Sequence, residues 1–400
     1  MPHRDDGFAE TAIEMRRAGG PFVRVFKGLL RAVLAVLILV LVAWMAAAVI
    51  TDRMLKKELS AIAEAGEPVH MRDLAQTLPP GEDNAADLYE EAFDALHLSD
   101  EDDRMLDADS ELADADRDVL SRAVFSAHDE YFRLLDRAAQ IEACAFWGNW
   151  EAGIDVRFPH LRPLRDAARM LRLRTEVLAA DGRDDEALRS VATCLRMAEH
   201  AQTTPVIHAQ SFAYSIQGIG TEALEKVLDE GTPSPQACAR LAERLAAAES
   251  DEALRRAFCA ERALGSWLFD HMRAVPPQEA VAYFPFTSPH WLPTGWRAPV
   301  VALYRTAGRP LLNLDQLAFL EAWRENLRAL DLPSTQRRAQ FDAVEHSLGQ
   351  LPRYRSLAAR AFFPSLGRLI GHRDRTVAAL DLSRLALLLR AHRARYGRYP

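Results

Sequence analysis

The chain of 400 residues has room for two or three domains and an ample hydrophobic core. Apolar residues make up 49% of the sequence and charged residues 26%, so most of the chain is expected to fold. The formal net charge of −8 argues against nucleic acid as a partner. Ala, Leu, Arg, Asp and Glu dominate, and β-branched runs are scarce outside one early segment, which predicts an all-α fold.

The least ambiguous feature is the uncharged run AVLAVLILVLVAWMAAAVI at residues 32–50. As a helix it spans roughly 28 Å, close to the thickness of one hydrocarbon core. The alternative is a buried core helix, but such a helix rarely lacks polar residues on every face. We therefore predict a transmembrane helix at 32–50, with the lipid bilayer as its partner, behind an N-terminal tail at 1–31.

Basic residues flank this run unequally. Arg16, Arg17, Arg24, Lys27 and Arg31 precede it, and Arg53, Lys56 and Lys57 follow it. The positive-inside rule then places the N-terminus in the cytoplasm and the body outside the inner membrane. A cleaved signal peptide is the alternative, because Ala46-Ala47-Ala48 offers a cleavage site. The long preceding segment and the long apolar run favour an uncleaved anchor.

Residues 51–118 are predicted as a juxtamembrane helix and an acidic linker. The helix continues to about residue 65, where Gly66 and Pro68 end it. Either Asp83 or Asn84 then caps a helix whose apolar positions 85, 88, 92, 93 and 96 follow helical spacing.

The acidic stretch at 99–118 is predicted to be a solvated loop. Asp107, Asp109 and Glu111 alternate as in a calcium loop. However, Leu112 stands where that loop needs glycine, and Asp118 stands in place of its final glutamate. The sequence therefore predicts no metal site there.

Residues 119–274 are predicted as a helical domain that contains one clear antiparallel hairpin. Gly182 separates its two helices and is expected to pack tightly on the second. The two apolar stripes are Leu164, Ala168, Leu171, Thr175 and Leu178, then Ala187, Val191, Cys194, Leu195 and Ala198. The hairpin resembles one tetratricopeptide unit, although Thr175 replaces the usual glycine. One repeat length of 34 residues after Gly182 and Ala187, the motif's glycine and alanine are replaced by Ile216 and Thr221. The sequence therefore predicts no array of tetratricopeptide repeats.

Further helices are predicted at 207–229, 234–248 and 251–274. Residues 275–299 are rich in proline and aromatic residues and are predicted as a non-helical crossover loop. Its rings either pack back on the helical body, which we favour, or form a lid or lipid-contacting loop.

The C-terminal region, 300–400, is predicted to hold helices at 314–330, 334–349, 353–362 and 374–396. Leu382, Leu385, Leu388 and Leu389 cover several faces of the last helix, which predicts a central, buried position. Gly397 is expected to adopt positive φ as its cap. The final GRYP indicates a chain cut at this point, with Tyr399 exposed or disordered.

We predict no catalytic, cofactor-binding or metal-ligating residue, since the sequence contains none of the common catalytic or nucleotide-binding motifs. His200 and His208, near Glu199, lie eight residues apart across a proline, which argues against a metal site. Two nucleophile pairs, Cys144 with His128 and Cys194 with His200, stay open.

Two further sets of residues are interpreted as having a structural role. Glu261-Arg262 is interpreted as a buried structural salt bridge. Cys144, Cys194, Cys238 and Cys259 allow two disulfides in an oxidising compartment, but each lies in an apolar helical stretch. We favour buried thiols.

NAADLYEEAF, DGRDDEAL, AFCAERALGSWLFDHM and LDLSRLALLLRAHRARYGRYP occur in this order. Over most of residues 79–400 the chain thereby resembles a type of uncharacterised, single-pass bacterial envelope protein. The last segment is also similar to the G-x-Y-P stretch of type II secretion pseudopilins. The N-terminus departs from that family, because Pro21 separates Gly20 from Phe22 and Lys27 replaces the acidic fifth residue of the processed pilin.

The leading hypothesis is a membrane-anchored, all-helical envelope protein with an irregular helical-hairpin body that acts through a protein partner. One alternative is an envelope hydrolase whose site is built from dispersed residues. Another, which rests only on the terminal segment, is an accessory protein of a secretion apparatus.

Overall fold

A computed structural model describes residues 21–76, 78, 83–97, 114–247, 251–283, 293–352 and 355–400. Helices account for 81% of these residues, and no strand occurs among them. The prediction of an all-α fold behind one long apolar N-terminal helix is therefore confirmed.

The helices, numbered in chain order, are α1 (Pro21–Glu64), α2 (Ala85–Ala95), α3 (Asp114–Ala127), α4 (Asp129–Ala138), α5 (Leu161–Ala180), α6 (Asp184–Ala201), α7 (Ile207–Glu230), α8 (Pro235–Ala247), α9 (Glu252–Ala274), α10 (Pro277–Ala280), α11 (Thr294–Arg305), α12 (Arg309–Ala329), α13 (Ser334–Gln350), α14 (Leu357–Phe362) and α15 (Gly367–Tyr396). Short 3-10 turns occur at Met71–Leu74, Trp150–Asp155 and Val281–Tyr283.

Helix α1 joins the predicted span and the predicted charged helix into one element of roughly 66 Å. It is the one helix in the described ranges that is long and apolar enough to cross a membrane. None of its apolar window is buried, which excludes the alternative of a core helix. The helix ends just before Gly66, as the sequence predicts, and Gly66 adopts φ of +74°.

Asn84 is the residue that caps α2. Its side-chain oxygen accepts hydrogen bonds from the N–H groups of Ala86, at 3.3 Å, and Ala145, at 2.9 Å. Helix α3 begins at Asp114, inside the predicted acidic loop, so the last residues of that loop are helical. Asp107, Asp109 and Glu111 lie outside the described residues.

The predicted hairpin forms from α5 and α6, and every residue of its two apolar stripes is buried. The Leu171 carbonyl accepts hydrogen bonds from Thr175, at 2.7 Å, and from Ser190 across the hairpin, at 3.1 Å. The tight packing predicted for Gly182 is wrong, because a Cβ added there would meet nothing within 4 Å. Glycine is required by its φ of +72°. Helix α7 continues unbroken through Ile216 and Thr221, so no second unit follows.

The core has two large parts. In one, α2, α4, α5, α6 and α7 enclose residues that include Tyr89 and Leu135. In the other, α9, α12, α13 and α14 surround Phe319 and Trp323, and the end of α1 joins them. Helix α9 approaches α12 so closely that a Cβ on Gly265 would overlap the Phe319 ring.

The predicted crossover loop at 275–299 is partly wrong. Pro277 begins the short helix α10, a position where the backbone N–H makes no intrahelical hydrogen bond and proline is therefore tolerated. Pro299 lies inside α11. Trp296 is 65% exposed, so this ring does not pack back on the body. Residues 284–292 lie outside the described residues. Helices α7 to α9 and α12 to α15 otherwise confirm the predicted order, with α12 and α15 beginning earlier than expected.

Helix α15 does not occupy the central position that the sequence predicts. Leu380 and Leu387 are buried where α15 packs on α7 and α8, whereas Leu382 and Leu385 are 67% and 53% exposed. The body covers only one face of this helix, so the leucines on the opposite face contact no core. Gly397 caps the helix with φ of +71°, as predicted.

Candidate functional site

The pair of Cys194 and His200, which the sequence leaves open, does not form. The Cys194 thiol donates to the Ile216 carbonyl at 3.7 Å, and His200 Nδ1 lies 2.9 Å from the Tyr89 hydroxyl. Burial raises the pKa of Cys194 to about 12, so the thiol stays protonated at neutral pH. A protonated thiol without a base is not an activated nucleophile.

The pair of Cys144 and His128 does not form either. Both ring nitrogens of His128 lie near backbone carbonyls, those of Val124 at 2.9 Å and His97 at 3.3 Å. Burial raises the pKa of Cys144 to about 12. All four cysteines are free and buried, as we favoured from the sequence.

Glu261 and Arg262 each form a polar contact with another residue, but not with each other. Arg262 pairs with Glu67 at 2.7 Å, and Glu261 accepts a hydrogen bond from the Ile207 N–H at 3.1 Å, at the first turn of α7. The predicted salt bridge is therefore wrong, because successive helical residues point about 100° apart. The Arg262–Glu67 pair fastens α9 to the segment that follows α1.

Buried histidines serve packing. The His160 ring stacks on Phe146 with centroids 3.9 Å apart and bonds to Thr204 at 3.1 Å. Burial lowers the pKa of His160 to about 4 and that of His200 to about 3, so both are neutral at pH 7. Across the described positions, no group of three or more His, Cys, Asp or Glu residues could hold a metal ion.

A polar joint connects α1 to α12. Asp52 accepts hydrogen bonds from the Arg309 guanidinium, at 2.6 Å, and from the Asn313 amide, also at 2.6 Å. The buried Asn313 amide also donates to Thr51, at 3.2 Å. Glu58 pairs with Arg324 further along both helices. The joint therefore begins directly after Ile50, where the uncharged run ends.

An apolar groove of about 780 Å³ lies beside this joint, between α1, α12 and α13. Its walls include Met54, Ala61, Leu317, Ala318, Val344 and Leu348. Met54 stands one helical turn beyond Ile50, or roughly 6 Å along the axis. The groove therefore starts at the level where the candidate membrane helix meets the body.

The exposed face of α15 forms a second apolar surface, which we call the α15 ridge. It consists of the exposed residues Ala378, Leu382, Leu385 and Tyr396 and the half-buried Leu389 and His392. The intervals between successive positions alternate between four and three residues, which is the a/d spacing of a coiled-coil seam. Leu388, 46% exposed, flanks the ridge.

Comparisons with known protein families, with curated proteins and with solved structures find no match to this chain. The groove and the α15 ridge were missed from the sequence for different reasons. The ridge has a signal, the a/d spacing, whereas the prediction of burial rests on leucines that cover several faces of the helix. The groove has none, because it forms only where α1 packs against α12 and α13, which lie more than 200 residues later in the sequence.

Proposed function

We propose that the protein is a membrane-anchored scaffold that associates with a second copy of itself through the α15 ridge. The single observation that carries this proposal is the row of leucines that α15 leaves exposed. An apolar stripe on a helix in water is unfavourable until a partner covers it. A heptad-spaced seam is the surface that a second helix covers best.

The ridge is complementary to itself when the two helices run antiparallel. In that register Leu385 faces the second copy's Leu389, and Leu382 faces its His392. Asp381 and Arg395, both exposed, flank the seam at equivalent positions, so each carboxylate meets the second copy's guanidinium. In a parallel pair Asp381 would face Ala386 instead, and this attraction would be lost. The two-fold symmetry also puts Leu388 opposite itself.

Cysteine cross-linking in membranes tests this arrangement. Leu388→Cys is expected to give a disulfide-linked dimer under oxidation, because residue 388 lies near the two-fold axis. Ala378→Cys is the matched variant and should give none, because it faces Tyr396 of the second copy. The four native cysteines are buried and should not interfere. A cross-link through position 378 would contradict the antiparallel register, and absence of any cross-link would contradict self-association.

Topology belongs to the same proposal. The excess of basic residues before α1's apolar run supports a cytoplasmic N-terminus, with the body outside the inner membrane of a bacterium. A phosphatase fused after Pro400 should then be active in the periplasm. A silent phosphatase fusion, together with an active cytoplasmic reporter at the same point, would reverse the orientation.

The resemblance to single-pass envelope proteins supports this location. The hydrolase and secretion-accessory alternatives gain no support from the contacts of the described residues.

A further inference from the structure

We propose that the groove between α1, α12 and α13 binds one acyl chain of an anionic phospholipid from the adjoining leaflet. This inference concerns a different surface from the α15 ridge and does not depend on it. It rests on the position of the groove, the chemistry of its walls and the distribution of charge around it.

Position gives a lipid direct access. Helix α1 leaves the candidate span at Ile50 and forms one wall of the groove from Met54 to Ala61, so the groove extends from roughly 6 Å to roughly 16 Å beyond the end of the span. Helix α12 begins beside Asp52, and the short connection after it makes α13 run back toward the same level. Leu351 and Arg355, which follow α13, therefore lie at the membrane-facing mouth.

The walls fit a hydrocarbon chain. Leucine, valine, methionine and alanine side chains line most of the groove, and Ala61, Ala318 and Ala343 keep it wide. Its volume of about 780 Å³ falls within the roughly 300–1,000 Å³ typical of small-molecule sites. An acyl chain is the apolar ligand that the adjoining leaflet supplies.

Charge at the groove selects the head group. The three carboxylates that line it contact two arginines: Glu58 and Glu321 share Arg324, and Glu325 pairs with Arg328 at 2.5 Å. Lys57 and Arg355 form no ion pair with any residue that the structure describes. With Arg324 and Arg328 counted against the three carboxylates, Lys57 and Arg355 leave a surplus of one positive charge. Arg355 lies near the mouth, where an anionic phosphate would sit.

Photolabelling tests the inference on the full-length protein. The protein is placed in nanodiscs of phosphatidylcholine with phosphatidylglycerol whose acyl chain carries a diazirine. After irradiation, labelled peptides should come from 54–61, 314–322 and 343–351 as well as from the span. Ala343 is exposed and lines the groove, so Ala343→Trp should fill it without disturbing the core and lower this labelling on the order of tenfold.

Ala339→Trp is the matched control, since Ala339 is exposed on the same helix but does not line the groove, and it should label like the wild type. Lys57→Glu with Arg355→Glu should lower labelling by phosphatidylglycerol on the order of tenfold but leave labelling by a phosphatidylcholine probe unchanged. Labelling confined to the span, or groove labelling that Ala343→Trp leaves intact, would overturn the proposal. The proposal would also be overturned if a helix of a copurified protein occupied the groove and excluded lipid from it. None of these outcomes bears on the cross-link through residue 388.

Discussion

Burial of His200 makes the stability of the fold depend on pH. Its folded-state pKa is lowered to about 3, chiefly by burial, from an ordinary value of 6.5. The unfolded chain therefore binds a proton between these values and the folded chain does not. The free energy of unfolding should fall as the pH drops below 6.5, by up to about 1.4 kcal/mol per pH unit for this one group.

Urea unfolding in detergent at pH 7 and pH 5 measures this slope. His200→Gln should reduce the difference between the two pH values, and His208→Gln, on the exposed surface, should leave it as in the wild type. An unchanged slope in the His200 variant would show that this group does not drive the acid sensitivity.

Gly265 gives a second test at the residue scale. A Cβ at this position would overlap the ring of Phe319, which is fully buried and cannot move aside freely. Gly265→Ala should therefore destabilise the fold by about 1–3 kcal/mol in chemical denaturation. Gly218→Ala, in a helix with open space around the added methyl, should instead stabilise it by about 0.5–1 kcal/mol. Equal effects of the two substitutions would contradict the close approach of α9 to α12.

The joint between α1 and α12 is the contact that matters most among the elements. Because Asp52 accepts hydrogen bonds from both Arg309 and Asn313, Asp52→Ala leaves the buried Asn313 amide with fewer partners. We expect a loss on the order of 1–2 kcal/mol and faster amide hydrogen exchange in residues 51–64. Lys56→Ala, on the exposed side of the same stretch, should change neither quantity. Unaltered exchange in the Asp52 variant would mean that apolar contacts alone hold α1.

Sequence reasoning succeeded where the cause is local. The cap at Asn84, the break at Gly182 and the end of α15 at Gly397 depend on residues within a turn of each position, so their chemistry can be read directly. The pairing of Arg262 with Glu67 could not be predicted, because it joins residues 195 positions apart.

The exposure of the α15 ridge could not be predicted either. A leucine-rich helix looks the same in sequence whether it lies in a core or presents one face outward. Which face of α15 is covered, and therefore whether Leu382 and Leu385 are exposed, depends on where α7 and α8 pack against it. The same limit applies to the groove, whose walls come together only after α12 and α13 have packed on α1.

At the scale of the whole molecule, α1 and its joint hold the helical body at one end of the apolar run, and the α15 ridge is available on its surface. Replacement of both Leu382 and Leu385 by aspartate would place charges on the seam while leaving the buried face of α15 unchanged. Leu303→Asp is the control, because Leu303 is 63% exposed but lies on α11, outside the ridge.

The mass of the full-length protein in detergent, measured by light scattering with the detergent contribution subtracted, tests the central claim most directly. The wild type and Leu303→Asp should give twice the chain mass of 44.7 kDa, and the Leu382→Asp, Leu385→Asp variant should give the mass of one chain. A wild-type protein that stays monomeric at concentrations well above micromolar, or a dimer that survives both aspartates, would contradict self-association through α15.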